Sequence, residues 1–263
     1  MGGNRVTRQS STAAASPASR RRLRWFAWAL GRCRGVLAER YGDERAKRVA
    51  QHAQDAYRTL LPTLPPISLA RDPMAPLTLA TTWVLALYQG SRLESGTAED
   101  VGWVLVTCLE RIYAAIPRWI RRLAGAAFMS TPSRWIITAL GRRSQRKRLP
   151  CTFVWRVIDR DEGDADLGID YLQCPVNMLL RDNGASELAP YLCNTDYATF
   201  AALGLGFRRT RTLAWACSHC DFRMWRAGGT DPAWPPRFAE RHCGRSLDAR
   251  LTETPSNPQE EHP

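Results

Sequence analysis

The chain has 263 residues, 44% of them hydrophobic, and a formal net charge of +12. That is enough apolar material for one large or two small folded units, and it excludes a chain disordered throughout. No apolar run reaches the roughly 18 residues of a bilayer span: the longest candidate, Leu77 to Tyr88, is broken by threonines and bounded by Pro76 and Gly90.

The charge is concentrated. Residues 1–48 hold twelve basic and three acidic side chains, and residues 117–149 hold nine basic and none acidic, so each stretch carries +9 and the remainder sums to −6. Such a stripe fits a nucleic-acid or anionic-membrane footprint, or a solvated arginine-rich surface. The apolar WFAWAL after the Ser-, Ala- and Arg-rich opening is shorter than the roughly 7–15 residues of an export signal. Val6 stands where a myristoylation signal has Ser or Thr. The expectation is a disordered basic leader over 1–24 and a cytoplasmic protein, whose eight cysteines are reduced thiols or metal ligands.

From Trp25 to about Leu61 the apolar residues recur at helical spacing, interrupted at Gly42, with Asp43 expected as an N-cap and His52 on the surface. A proline-rich loop follows. Leu77–Gln89 and Thr97–Ile116 then read as two helices, the second capped by Thr97 with Glu99 and Asp100 in its first turn. Pro117 opens a further short helix. Its Trp119, Arg121 and Arg122, with Trp135, Arg142 and Arg143 beyond it, offer stacking and phosphate-binding groups. No zinc finger, RNA-recognition signature or P-loop supports them, and nucleic-acid binding is the minority reading.

At Cys151 the period changes to alternation. Cys151–Val157 and Leu167–Leu172 read as a hairpin, and Pro175 fits the first position of a helix ending at Gly184, which places Cys174 at its N-cap. The segment ELAPYL and the caps Asn194, Thr195 and Asp196 precede a helix to Leu203; Phe207–Trp215 and Asp221–Arg226 read as strands. The expected fold is α+β: a helical region over 25–149, then a motif-bearing unit over 150–227 with a small antiparallel sheet and packed helices, then a loop and disordered tail over 228–263.

Four cysteines of this stretch invite chemistry. A thiol at a helix start, as expected for Cys174, gains thiolate character from the dipole and free N–H groups; the alternative is a small buried residue closing a strand. Cys193 and Asp196 could present a thiol and a carboxylate to one pocket, or serve as core residue and cap. Cys217 and Cys220 form C-x-x-C, which with Cys174 and Cys193 would give a closed structural zinc site. An open site for zinc or another divalent metal would draw three ligands from Cys174, Cys193, Asp196, His219 and Cys220. A Cys–His pair with His219 as base competes with it.

Across GIDYLQCPVNMLLRDNGASELAPYLCNTDYATFAALGLGFRRTRTLAWACSHCDFR, and more weakly through YGDERAKRVAQHAQDAYRTLLP, the chain resembles the L-2-amino-thiazoline-4-carboxylic acid hydrolase family over roughly residues 41–226. The ordered set C-P, L-C-x-x-D, G-x-G, R-T-x-T-L and C-D-F carries the resemblance. It implies that Cys174, Cys193, Asp196, Arg209, Thr210, Thr212, Cys220 and Asp221 occupy motif positions, while Ala216 departs from the family glycine and Cys217 is not a motif position.

The implied activity is hydrolysis of the C=N bond of a cyclic amidine to an N-carbamoyl-cysteine-type product, part of cysteine metabolism. Cys193, Asp196 and Cys174 would be catalytic. Arg209 would clamp the substrate carboxylate or pair with Asp221, Thr210, Thr212 and Asp221 would contact substrate, and Cys174, Cys193 and Cys220 would line the pocket or hold a metal. The other reading is a non-enzymatic small-molecule sensor whose basic N-terminal half contacts nucleic acid or an acidic partner.

Overall fold

The computed structural model describes residues 17–65, 67–68, 70, 72–146, 148–158 and 165–230, and the short backbone stretches 241–242 and 245–246. The expected disordered leader over 1–24 meets a helix that already begins at Pro17; the expected tail from Thr252 onward lies outside the described residues.

Six helices come first: α1 (Pro17–Tyr41), α2 (Asp43–Leu60), α3 (Ala75–Arg92), α4 (Ala98–Ala114), α5 (Arg118–Phe128) and α6 (Thr131–Arg146). Gly42, at φ 76°, both separates α1 from α2 and serves as the N-cap of α2, a backbone position suited to a residue without Cβ. Asp43, expected as that cap, is instead the first helical residue, where its charge still meets the positive end of the dipole. Thr97 caps α4 as expected: its hydroxyl accepts from the Asp100 N–H, and the Asp100 carboxylate accepts from the Thr97 N–H at 2.7 Å.

The second half is built on a four-stranded antiparallel sheet in the order β1 (Val154–Ile158), β2 (Leu167–Gln173), β4 (Cys220–Trp225), β3 (Gly206–Arg208). Between the strands lie α7 (Pro175–Asp182) and α8 (Ala189–Leu203), and a further pair, β5 (Arg241–His242) and β6 (Arg245–Ser246), follows. The architecture is α+β, as the pattern of residues led us to expect.

Alternation assigns the sheet's faces. Trp155, Leu167, Ile169, Phe207 and Met224 point inward and form one core with Met129, Phe153 and Leu205. On the opposite face Asp170, almost wholly buried, accepts from Arg156 and Arg223, each at 2.9 Å. A second core joins Phe26, Val49, Tyr57, Leu85, Val101 and Val104 of the N-terminal helices to Leu180 of α7, Leu188 and Leu192. It therefore fixes α7 and α8, which carry site residues, against the first half of the chain. Asp72, in the loop before α3, adds a polar tie by accepting from the Phe153 N–H at 2.7 Å.

Two expected elements differ. Phe207–Trp215 is not one strand: β3 ends at Arg208, and Leu213–Trp215 is a 3-10 turn. The Asp221 carboxylate takes the N–H groups of Thr210, at 2.8 Å, and Arg211, at 2.5 Å, so a side chain satisfies donors that a ladder would have used. Residues 194–196 do not cap a helix, because α8 starts at Ala189 with Pro190 in its first turn and runs through them.

Candidate functional site

The continuous α8 sets the geometry. Cys193 and Asp196 are three residues apart and so project from neighbouring positions on one helix face. Opposite them is the irregular segment after β3, where Arg209 is buried, with 1% of its surface exposed. Its Nη1 donates to Oδ2 of Asp196 at 2.9 Å and its Nη2 to the Cys193 carbonyl at 3.1 Å. The rings of Tyr197, Phe207 and Phe222 surround the guanidinium, with centroids 5.6, 6.0 and 5.2 Å from its carbon.

Arg209, expected as a direct clamp for a substrate carboxylate, thus sits behind Asp196, with its fork engaged by the protein itself. It does not pair with Asp221. Asp221 and Thr210 hold the turn instead: the Thr210 hydroxyl donates to Asp221 at 2.6 Å, alongside the backbone bonds described above.

Thr212 is buried between two thiols. Its Oγ1 lies 3.9 Å from Sγ of Cys193 and 3.6 Å from Sγ of Cys220, and it also accepts from the Ala214 N–H as the cap of the 3-10 turn. The Cys220 sulfur accepts from the Leu213 N–H at 3.2 Å. Cys174 is the N-cap of α7 with Pro175 following, as expected, and Asn177 of that helix donates to the Leu213 carbonyl at 3.1 Å. This bond ties the start of α7 to the Thr212 turn.

The structure therefore brings Cys174, Cys193, Asp196, Arg209, Thr212 and Cys220 together, and it adds Tyr171. The β2–β4 register pairs Tyr171 with Cys220, so the two share the inner face of the sheet. Tyr171 was visible in the sequence only as one alternating strand residue three positions before Cys174.

Electrostatics reverse one expectation. Burial pushes the Cys174 thiol upward, the nearby Cys220 adds to the shift, and the N–H groups of Asn177 and Val176 oppose it without prevailing. The helix start does not yield a ready thiolate, because desolvation outweighs the dipole. Burial likewise raises Cys220 against the opposing influence of Arg209. The Tyr171 phenol is held protonated by burial and next by the charge of Asp196.

Asp196 is also raised, chiefly by burial and against the pull of Arg209. Yet 35% of its side-chain surface remains accessible. Asp196 therefore lies at the boundary between the packed interior and solvent. Among the described residues its Oδ1 has no hydrogen-bond partner, since Arg209 takes Oδ2.

His219 faces away from the thiols: its Nδ1 lies 2.9 Å from the Ser218 hydroxyl and its Nε2 3.7 Å from Asp170. The expected Cys–His pair is not formed. Cys217 is disulfide-bonded, so C-x-x-C does not supply two free thiolates. Among the described residues, no three His, Cys, Asp or Glu side chains form a metal-ligand group. The donor set explains this: Thr212 separates Cys193 from Cys220, and the Arg209 cation lies beside the carboxylate.

No curated protein and no solved structure matches the chain significantly. The span from α6 to β4 is matched by a family model, and it includes all eight motif residues from Cys174 to Asp221. Residues 135–224 match the model of the L-2-amino-thiazoline-4-carboxylic acid hydrolase family, the family whose motifs the sequence resembles.

Proposed function

We propose that the chain hydrolyses the C=N bond of a cyclic amidine, with L-2-amino-thiazoline-4-carboxylate as the leading substrate and an N-carbamoyl-cysteine-type product. The observation that carries this reading is Asp196: one oxygen is anchored by Arg209 and the other, without a hydrogen-bond partner among the described residues, belongs to a partly accessible side chain in the neighbourhood of the thiols and the Tyr171 phenol. The family match over residues 135–224 supplies the substrate class.

In this scheme Asp196 accepts a proton from water as the water oxygen bonds to the amidine carbon. The C=N electron pair moves to the ring nitrogen, which takes a proton from Tyr171. The tetrahedral carbon then expels the ring sulfur: its C–S bond breaks as the hydroxyl becomes a carbonyl and yields its proton to the Tyr171 phenolate, and Asp196 returns its proton to the departing sulfur, leaving a urea and a thiol with both side chains restored. A carboxyl group raised above the usual carboxylate range is a stronger base than a free one, and a protonated phenol suits the donor. Arg209 acts through Asp196, holding its orientation, while Cys193 and Thr212 shape the wall beside it.

The test is turnover of purified full-length protein with L-2-amino-thiazoline-4-carboxylate, following ring loss and thiol release, with Asp196→Asn and Cys193→Ser alongside. Activity in the wild type and in Cys193→Ser, lost in Asp196→Asn, is the expected result. No wild-type turnover with or without added divalent metal would sink the hydrolase reading. A substrate adduct trapped on Cys193 would replace activated water by covalent catalysis.

A further inference from the structure

Helices α5 and α6 carry large apolar side chains that no described residue covers. Trp119 is 67% exposed, Leu123 63%, Trp135 75% and Ile136 60%. Trp119 and Leu123 are one turn apart on the same face of α5. The helix holds to the protein by a narrow edge: Gly125 is its one buried residue and packs on the Leu203 carbonyl of α8, while Arg121 donates to the carbonyls of Ile116 and Ala202.

The same segment is strongly basic, with nine Lys and Arg and no acid between residues 117 and 149. Among the described residues, the arginines of α5 and α6 form no ion pair; Arg121, Arg134 and Arg143 donate to backbone carbonyls. Exposed tryptophan, leucine and isoleucine interleaved with unneutralised arginine is the composition of a helix that lies in a lipid interface.

We propose that the α5–α6 face docks on an anionic lipid surface. Exposed Leu123 and Ile136 favour an acyl boundary over nucleic acid, whose bases stack on aromatic rings and gain little from aliphatic ones. A second copy meeting the same face would set like charges against each other. The headgroup charge of an anionic leaflet complements the arginines, and tryptophan suits the depth of the headgroups. No described helix is long and apolar enough to cross a membrane, so the attachment is peripheral.

The experiment is co-sedimentation of the full chain with vesicles of phosphatidylcholine alone or mixed with phosphatidylserine. Binding to the mixed vesicles, weakened by salt, is expected. It should fall at least about tenfold in Trp119→Ala/Leu123→Ala/Trp135→Ala. Arg118→Gln/Arg122→Gln/Arg142→Gln, which removes charge but no apolar surface, should weaken it as well. Circular dichroism checks that both variants fold. Binding to neither vesicle, or binding that both variants leave unchanged, overturns the proposal. So does a dimer or a single-stranded oligonucleotide complex that forms through these residues in place of vesicle binding.

Discussion

Arg209 donates to Asp196 across 2.9 Å, joining the irregular segment after β3 to the middle of α8. The bond links a buried cation to a carboxylate whose side chain is still partly accessible. Replacing Arg209 by Leu leaves that carboxylate without its cation and removes one donor from the Cys193 carbonyl. We expect a loss of about 3 kcal/mol in stability, measured by urea denaturation. Arg209→Lys should restore only part of it, because an ammonium cannot reproduce the planar fork that reaches both acceptors.

Asp196 should reveal itself in the pH dependence of kcat/KM. Acting as a base, it must be ionised, so the rate rises as pH passes through its folded value, which burial places above the usual carboxylate range. Asp196→Asn should lower kcat/KM by about 100-fold or more and remove that limb of the profile. The sign for stability is opposite: with its folded value raised, the contribution of protonated Asp196 is complete at low pH and is lost as pH rises through that value.

Cys174 is expected to resist alkylation. Its raised value leaves little thiolate at neutral pH, and the thiolate is the reacting form. Site-resolved mass spectrometry with iodoacetamide should show Cys174 labelled more slowly at neutral pH than an unperturbed thiol in the unfolded chain, with the rate climbing as pH increases. Rapid, pH-independent labelling of the folded protein would contradict the assignment.

Gly90 controls the approach of α3 to α2. A Cβ there would meet the backbone of Ala53, coming within 2.8 Å of its Cα and closer still to its nitrogen. Backbone cannot rotate away as a side chain can, so Gly90→Ala must separate the helices. We expect it to cost about 1–3 kcal/mol despite alanine's better helix propensity, seen as a lowered Tm. Alanine at Gly31, where no heavy atom lies within 4 Å, should not lower it.

Much of this arrangement was legible in the residues, for identifiable reasons. Thr97 and Asp100 announced α4 through capping chemistry, and Cys174–Pro175 announced α7 through proline's fixed geometry. The α6 helix was missed because its one buried residue is Gly141, which packs on Trp155, while Ile137 and Leu140 reach the core only partly buried and the neighbouring Trp135 and Ile136 are exposed, blurring the apolar stripe. Asn194, Thr195 and Asp196 suggested a cap because all three are cap formers, yet Pro190 had already opened the helix. The alternation from Phe207 to Trp215 imitated a strand because nothing local reveals that Asp221, ten residues beyond Arg211, captures the backbone. The convergence of thiols was expected as a set; the burial that keeps Cys174 and Cys220 protonated depends on the packed surroundings, which spacing does not encode.

The uninterrupted run of α8 through Cys193 and Asp196 divides the candidate site into parts of unequal tolerance. The proposed base rides on a helix anchored in the N-terminal core, where a shift of one residue would rotate it out of place. Facing it, Thr210 to His219 follow no regular ladder and are held by a few side-chain bonds to Asp221, Asn177 and Thr212. Insertions or exchanges in that wall would redraw the outline offered to a substrate while leaving the base where it is. A search for altered ring preference would therefore begin by randomising exposed positions such as Arg211, Ala216 and Ser218, with α8 untouched.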